Sequence, residues 1–146
     1  MKLVSVYETD VAANILYRLL DERPRENFIS HEVMPKFEEH EEFVRSRPFR
    51  YWYLMRVHDM DGVQFVGALE CTELNEIGIA VLEKFRGKGY GTAALKLFLA
   101  THKPLPAVRA VRNGHWLANI APSNETGLRF FDRNGFKPIQ ETWGLT

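Results

Sequence analysis

The sequence predicts an α+β domain. Three observations point there. Aromatic and β-branched runs at 50–57 and 63–70 flank the turn signal Asp59-Met60-Asp61-Gly62, which reads as an antiparallel hairpin. A later apolar run, Ile77-Gly78-Ile79-Ala80-Val81, passes through the glycine-rich segment Arg86-Gly87-Lys88-Gly89-Tyr90-Gly91-Thr92 into an apolar-periodic stretch over 93–100. Hairpins thus precede a strand–helix–strand unit, an order that fits α+β better than a regular α/β alternation.

The elements follow in order. Residues 2–8 are rich in β-branched and aromatic side chains and read as a first strand. Thr9 or Asp10 can cap a helix in which Ala12, Ile15, Leu16, Leu19 and Leu20 recur at helical spacing, and Pro24 stops it. Pro35 suits the first turn of a second helix, with Glu38 and Glu39 near its positive end and Phe37, His40 and Val44 on one face. Pro48 ends it. The hairpin comes next, then a strand over 75–81, the glycine loop and its helix. Pro104 and Pro106 break the pattern. Residues 115–121 read as a short buried strand. A helix over 124–133 carries Leu128 and Phe131 on one side. Asn134-Gly135 supplies a left-handed C-cap, and 136–143 is expected as a closing strand.

With 146 residues the chain is expected to form one domain over 1–146, large enough to bury a core without metal or disulfide. Its 19 basic and 19 acidic residues balance, so no overall field favours nucleic acid or an acidic membrane. The single cysteine, Cys71, excludes an internal disulfide and fits a reducing compartment. Residues 1–10 have no apolar signal-peptide core, and no apolar run is long enough to span a bilayer. A cytoplasmic domain is the expectation. No His/Cys/Asp cluster has metal-ligand spacing, so no metal is expected.

A strand, a glycine turn and a helix start present bare N–H groups and a positive helix end to a phosphate. Here the chain resembles the GNAT superfamily of acetyl-CoA-dependent N-acetyltransferases. Arg86, Gly89 and Gly91 match its Q/R-x-x-G-x-G/A signature. Asn124, Gly127, Phe130-Phe131 and Gly135-Phe136 match its later N–small–aromatic–Gly-Phe block. The two motifs and the strand order cover nearly the whole chain.

The resemblance implies a mostly antiparallel mixed sheet flanked by helices, with two parallel strands that splay apart. It implies acetyl-CoA as donor and direct attack by an acceptor amine. Arg86 belongs to the loop signature, and backbone amides of Gly87, Lys88, Gly89, Tyr90, Gly91 and Thr92 would hold the pyrophosphate. Ile79, Ala80 and Val81 would pair with the pantetheine arm. The strand carrying Asn119 and Ile120 would diverge to admit the thioester, and Asn124 would bond the pantetheine or cap the last helix. Phe131 departs from the pattern, since many members carry there a tyrosine that protonates the departing sulfur. A thiol of pKa about 8.5 still leaves tolerably as thiolate, and Ser123, His115, Tyr90 or water are substitute donors. For the base, Glu76, His115 and Glu70 lie near strand ends; Glu76 is the first choice, and Glu70 reads more simply as a surface side chain.

For the acceptor, Ile29-Ser30-His31-Glu32 with Phe37-Glu38-Glu39-His40 is similar to amino-sugar acetyltransferases acting on nucleotide-linked 4-amino sugars. Glu76-Ile77-Gly78-Ile79 resembles both that subgroup and ribosomal-protein N-terminal acetyltransferases. A small-molecule amine is therefore expected, with a protein N-terminus or polyamine as alternatives. Glu38, Glu39, Glu41 and Glu42 read as a solvated face; Arg45, Arg47 and Arg50 either meet a diphosphate or pair with these glutamates. Members are often homodimers, although no exposed apolar helix here demands one. A non-catalytic acyl-CoA sensor is the competing reading.

Overall fold

A computed structural model describes residues 1–28 and 33–145. The strands β1 (Lys2–Ser5), β2 (Tyr51–Asp59), β3 (Gly62–Cys71) and β4 (Ile77–Val81) form one sheet in that spatial order, and every pair is antiparallel. The β2–β3 turn is held locally. Asp59 Oδ1 accepts from the Asp61 amide at 2.8 Å, and Gly62 takes φ +99°.

Four helices flank the sheet: α1 (Ala12–Asp21), α2 (Phe37–Arg45), α3 (Tyr90–Thr101) and α4 (Glu125–Arg133). Register sorts the sheet's two faces. Tyr51, Cys71 and Ile77 share one face with Tyr53, Leu69 and Ile79. There Phe98 of α3 packs edge-on to Tyr51 and Tyr53, with centroids 5.9 and 6.4 Å away. The opposite face presents Trp52, Glu70 and Gly78 in one cross-strand row. Phe43 of α2 and Phe49 meet Trp52 there at 6.0 and 4.8 Å, and α1 packs on α2 and β3. Leu54, Met55, Val66, Leu69, Leu95 and Phe98 are fully enclosed between the layers.

Several sequence expectations need correction. The first strand stops at Ser5, whose side chain accepts from the Tyr7 amide and turns residues 6–8 into a 3₁₀ turn. Helix α1 begins after Val11 with no side-chain cap; Thr9 Oγ1 meets only the Val11 amide, at 3.5 Å. Pro35 lies outside α2, which is instead entered through Lys36, whose amide donates to Glu39 Oε2 at 3.2 Å. On α4 Phe131 is buried but Leu128 is exposed, so Phe130 and Phe131 supply the packing.

Neither late strand forms. Residues 115–121 make one parallel bridge, Leu117 to Glu76, so the sheet is antiparallel rather than mixed. Residues 136–145 carry no regular structure, and Ile139 and Trp143 are exposed. Pro138 offers no N–H to a ladder, and the segment it would join is not itself a strand. The predicted C-cap is present: Gly135 has φ +90°, its amide donates to Asp132 O at 3.1 Å, and the Phe136 amide donates to Phe131 O at 3.0 Å.

Candidate active site

The glycine loop joins β4 to α3. Gly87 and Gly89 take φ +75° and +82°, the left-handed region where a Cβ costs energy. Arg86 pins the loop by donating from Nε to Val81 O at 2.9 Å. The first amide bonded into α3 is that of Ala93, to Gly89 O at 3.0 Å. The amides from Gly87 to Thr92 therefore precede the helical ladder, and none donates to an acceptor among the described residues. No acidic side chain occupies the first turn, while Arg86 and Lys88 are exposed beside it. This loop fits an anionic pyrophosphate. Gly91 has another role: a Cβ there would lie 3.2 Å from Phe130 Cε2, so this glycine lets α4 approach α3.

Beside the loop, the free edge of β4 opens. The Ile77 amide donates to Leu117 O at 2.8 Å, and the Leu117 amide donates to Asn75 O at 2.9 Å. Beyond that rung, Ile79, Ala80 and Val81 make no backbone bond to 119–121 among the described residues. Asn75 anchors the start of the divide. Fully buried at φ +64°, it donates from Nδ2 to Leu105 O at 3.0 Å and accepts the Leu105 amide at 2.7 Å.

Asn124 caps α4, its Oδ1 accepting the Gly127 amide at 3.0 Å. Asn119 is exposed on the divergent segment. Phe131 is buried, edge-on to Phe130 at 5.1 Å and Phe136 at 5.0 Å. Ser123 Oγ lies 3.0 Å from Glu26 O and 2.8 Å from Asn27 Oδ1, which ties the segment after α1 to the turn before α4. That engagement makes it a tether.

The candidate bases separate. Glu76 Oε2 accepts from Thr72 Oγ1 at 3.1 Å, inside the β3–β4 turn. His115 is exposed. Glu70 is half-buried, contrary to the surface expectation, and its row neighbour Gly78 leaves room for it: a Cβ on Gly78 would overlap Glu70 Oε1 and lie 2.6 Å from Cδ. Burial raises the Glu70 pKa above the usual carboxylate range, against a lowering by the charge of Arg23. Sequence reading missed this seat because it depends on register, although the glycine in mid-strand was its visible signal.

The three arginines do not gather. Arg45 pairs with Glu41 at 3.5 Å, Arg47 lies over the Tyr7 ring at 3.9 Å, and Arg50 lies over Tyr51 at 4.7 Å. The 29–32 segment expected in the acceptor wall lies outside the described residues. There are two surface depressions of about 440 and 450 Å³, the first of which reaches Phe85, just before the glycine loop. The first lies between α1, β3 and the 82–85 turn, and the second between Glu76 and 107–113. Among the described residues no group of His, Cys, Asp or Glu is placed to hold a metal.

The antiparallel sheet, its flanking helices and the glycine loop at the α3 start define an α+β domain of acetyltransferase architecture. Residues 14–136 match the Acetyltransferase (GNAT) family model. The chain belongs to this family. It is similar in structure to a domain from Methanocaldococcus jannaschii DSM 2661, with TM-score 0.72 and 22% identity over 97% of this chain and 90% of that one. Ribosomal-protein-alanine N-acetyltransferase from Brucella melitensis gives TM-score 0.59 at 16% identity, over 93% and 83%. An N-acetyltransferase from Staphylococcus aureus Mu50 gives 0.58 at 13%, over 93% and 81%. No curated protein sequence is matched at a significant level. No helix among the described residues is long and apolar enough to cross a membrane.

Proposed function

We propose that this chain is an acetyl-CoA-dependent N-acetyltransferase that acetylates the primary amine of a small molecule in the cytoplasm. One observation carries the reading: six consecutive undonated amides, Gly87 to Thr92, lie next to the open edge of β4. Those amides would hold the diphosphate of coenzyme A. The backbone of Ile79 to Val81 would pair with its pantetheine arm and present the thioester carbonyl carbon to the amine. The chain's part in the chemistry is to orient donor and acceptor and to manage the acceptor's proton. Glu76 and His115 stay candidates for that task.

A nucleotide-linked amino sugar is the first acceptor class, from the likeness of 29–40 to that subgroup. The dispersal of Arg45, Arg47 and Arg50 removes one argument for it. A protein N-terminus and a polyamine complete the panel. The test is thiol release from acetyl-CoA with each class. Release above background with at least one amine supports the reading. Tight coenzyme A binding with no transfer to any amine would instead support an acyl-CoA sensor, which Phe131 favours because it has no proton to donate.

A further inference from the structure

We propose that Asn113 is a site of spontaneous covalent modification. Its side-chain amide is lost to attack by the Gly114 nitrogen, and the isoaspartyl link that results loosens the rung where β4 and 115–121 part. The chain holds two Asn-Gly pairs, at 113–114 and 134–135, and the fold treats them in opposite ways.

The reaction needs an unengaged glycine nitrogen and a reachable side-chain carbonyl carbon. Glycine favours it because no Cβ shields the attacking nitrogen. At the first pair both conditions hold. The Gly114 amide donates to no acceptor among the described residues. Asn113 is exposed, and its Oδ1 accepts the His115 amide at 3.0 Å, which makes Cγ the better electrophile. Asn113 also lines the open depression of about 450 Å³ beside Glu76, where water can enter and ammonia leave. The second pair is locked. Asn134 Nδ2 donates to Phe130 O at 2.8 Å, and the Gly135 amide donates to Asp132 O at 3.1 Å. Both bonds must break before that nitrogen can attack. Nor can the fold give up the labile pair at 114. Gly114 has φ +82°, and a Cβ there would lie 3.0 Å from Ala107 N.

The step balances. The Gly114 nitrogen gives up its proton and bonds to Asn113 Cγ. The Cγ–Nδ2 bond breaks, and ammonia carries the proton away. Water then opens the cyclic imide. Cleavage at Cγ leaves an aspartyl residue at 113; cleavage at the main-chain carbonyl carbon routes the chain through Cβ and Cγ instead. Water is consumed and ammonia released, with no other reactant.

The link around 113 has little slack. On one side Arg112 is held, Nε donating to Pro106 O at 2.8 Å and Nη1 to Glu73 O at 3.0 Å. On the other, Leu117 donates to Asn75 O at 2.9 Å and accepts the Ile77 amide at 2.8 Å. An isoaspartyl residue inserts an extra backbone methylene between these anchors, so the rung has to give.

The test follows full-length protein at mildly alkaline pH, with and without urea, by peptide mass mapping. Isoaspartyl groups are counted by enzymatic methylation from S-adenosylmethionine. In urea the two pairs should convert at similar rates. In the folded protein 113 should convert at least about tenfold faster than 134, since two hydrogen bonds protect the second site. Asn113→Gln should abolish conversion at 113. The isoaspartyl fraction should exchange its Ile77 and Leu117 amides faster than fresh protein. Freshly prepared Asn113→Asp, with the new charge on an ordinary backbone, should exchange them as wild type does. Folded protein that converts at 134 as fast as at 113, or not at 113 while the unfolded chain converts, would overturn the site. Unchanged exchange at 77 and 117 in the isoaspartyl fraction would overturn its hold on the rung. Either failure leaves the acetyltransferase reading standing, because coenzyme A binding enters neither measurement.

Discussion

Cys71 shows how burial alone decides a reactive residue's behaviour. Its side chain is fully buried, and Sγ lies 3.5 Å from Thr72 O. Burial pushes its pKa from 9.0 to about 11, partly offset by the charge of Arg50. The thiolate is the nucleophile, so at pH 8 this thiol is inert. Folded protein at pH 8 should release no thionitrobenzoate from Ellman's reagent until denaturant is added. Rapid reaction in the folded state would contradict the burial. The sign of the linkage follows. Stability that depends on the neutral thiol is complete below pH 9.0 and is lost as pH rises through about 11. The half-buried seat of Glu70 was not legible in the sequence, because which face a strand residue occupies depends on pairing with Trp52 and Gly78 across two turns.

Among the elements, the glycine loop and the two ends of α4 were the most legible, because their chemistry is local. Gly87, Gly89 and Gly135 each take positive φ, and Asn124 caps α4, as their residue types suggest. The late strands were misread because strand formation needs a partner edge. The composition of 115–121 and 136–143 suits a strand, yet one segment stops after a single rung and the other joins no ladder. The tether that starts the divide was equally invisible, since Asn75 and Leu105 lie 30 residues apart. Asn75→Ala loses two hydrogen bonds, at about 0.5–1.5 kcal/mol each. It also places an alanine at φ +64°, a conformation that costs about 1–2 kcal/mol. Urea denaturation should show a loss of about 2–5 kcal/mol; a change under about 0.5 kcal/mol would contradict the tether.

For the whole molecule, the layers combine into one device. Helices α1 and α2 cover the Trp52–Glu70–Gly78 face, α3 covers the other, and β4 leaves a backbone edge open between them. The Ser123 contacts with Glu26 and Asn27 draw the segment after α1 toward the turn before α4. Family membership and fold follow from these long stretches, while the acceptor depends on a few side chains. An extended cofactor arm that pairs with a sheet edge needs no deep cavity, and the depression of about 440 Å³ lies under the approach to the glycine loop, ending at Phe85.

Amide hydrogen exchange with and without coenzyme A tests the central claim most directly. Slowed exchange confined to 87–92, Ile79 and Val81 is the predicted result, since those N–H groups gain their missing acceptors from the ligand, while the Ala80 amide faces β3. Saturating coenzyme A that leaves both stretches exchanging at their free rates would contradict the account.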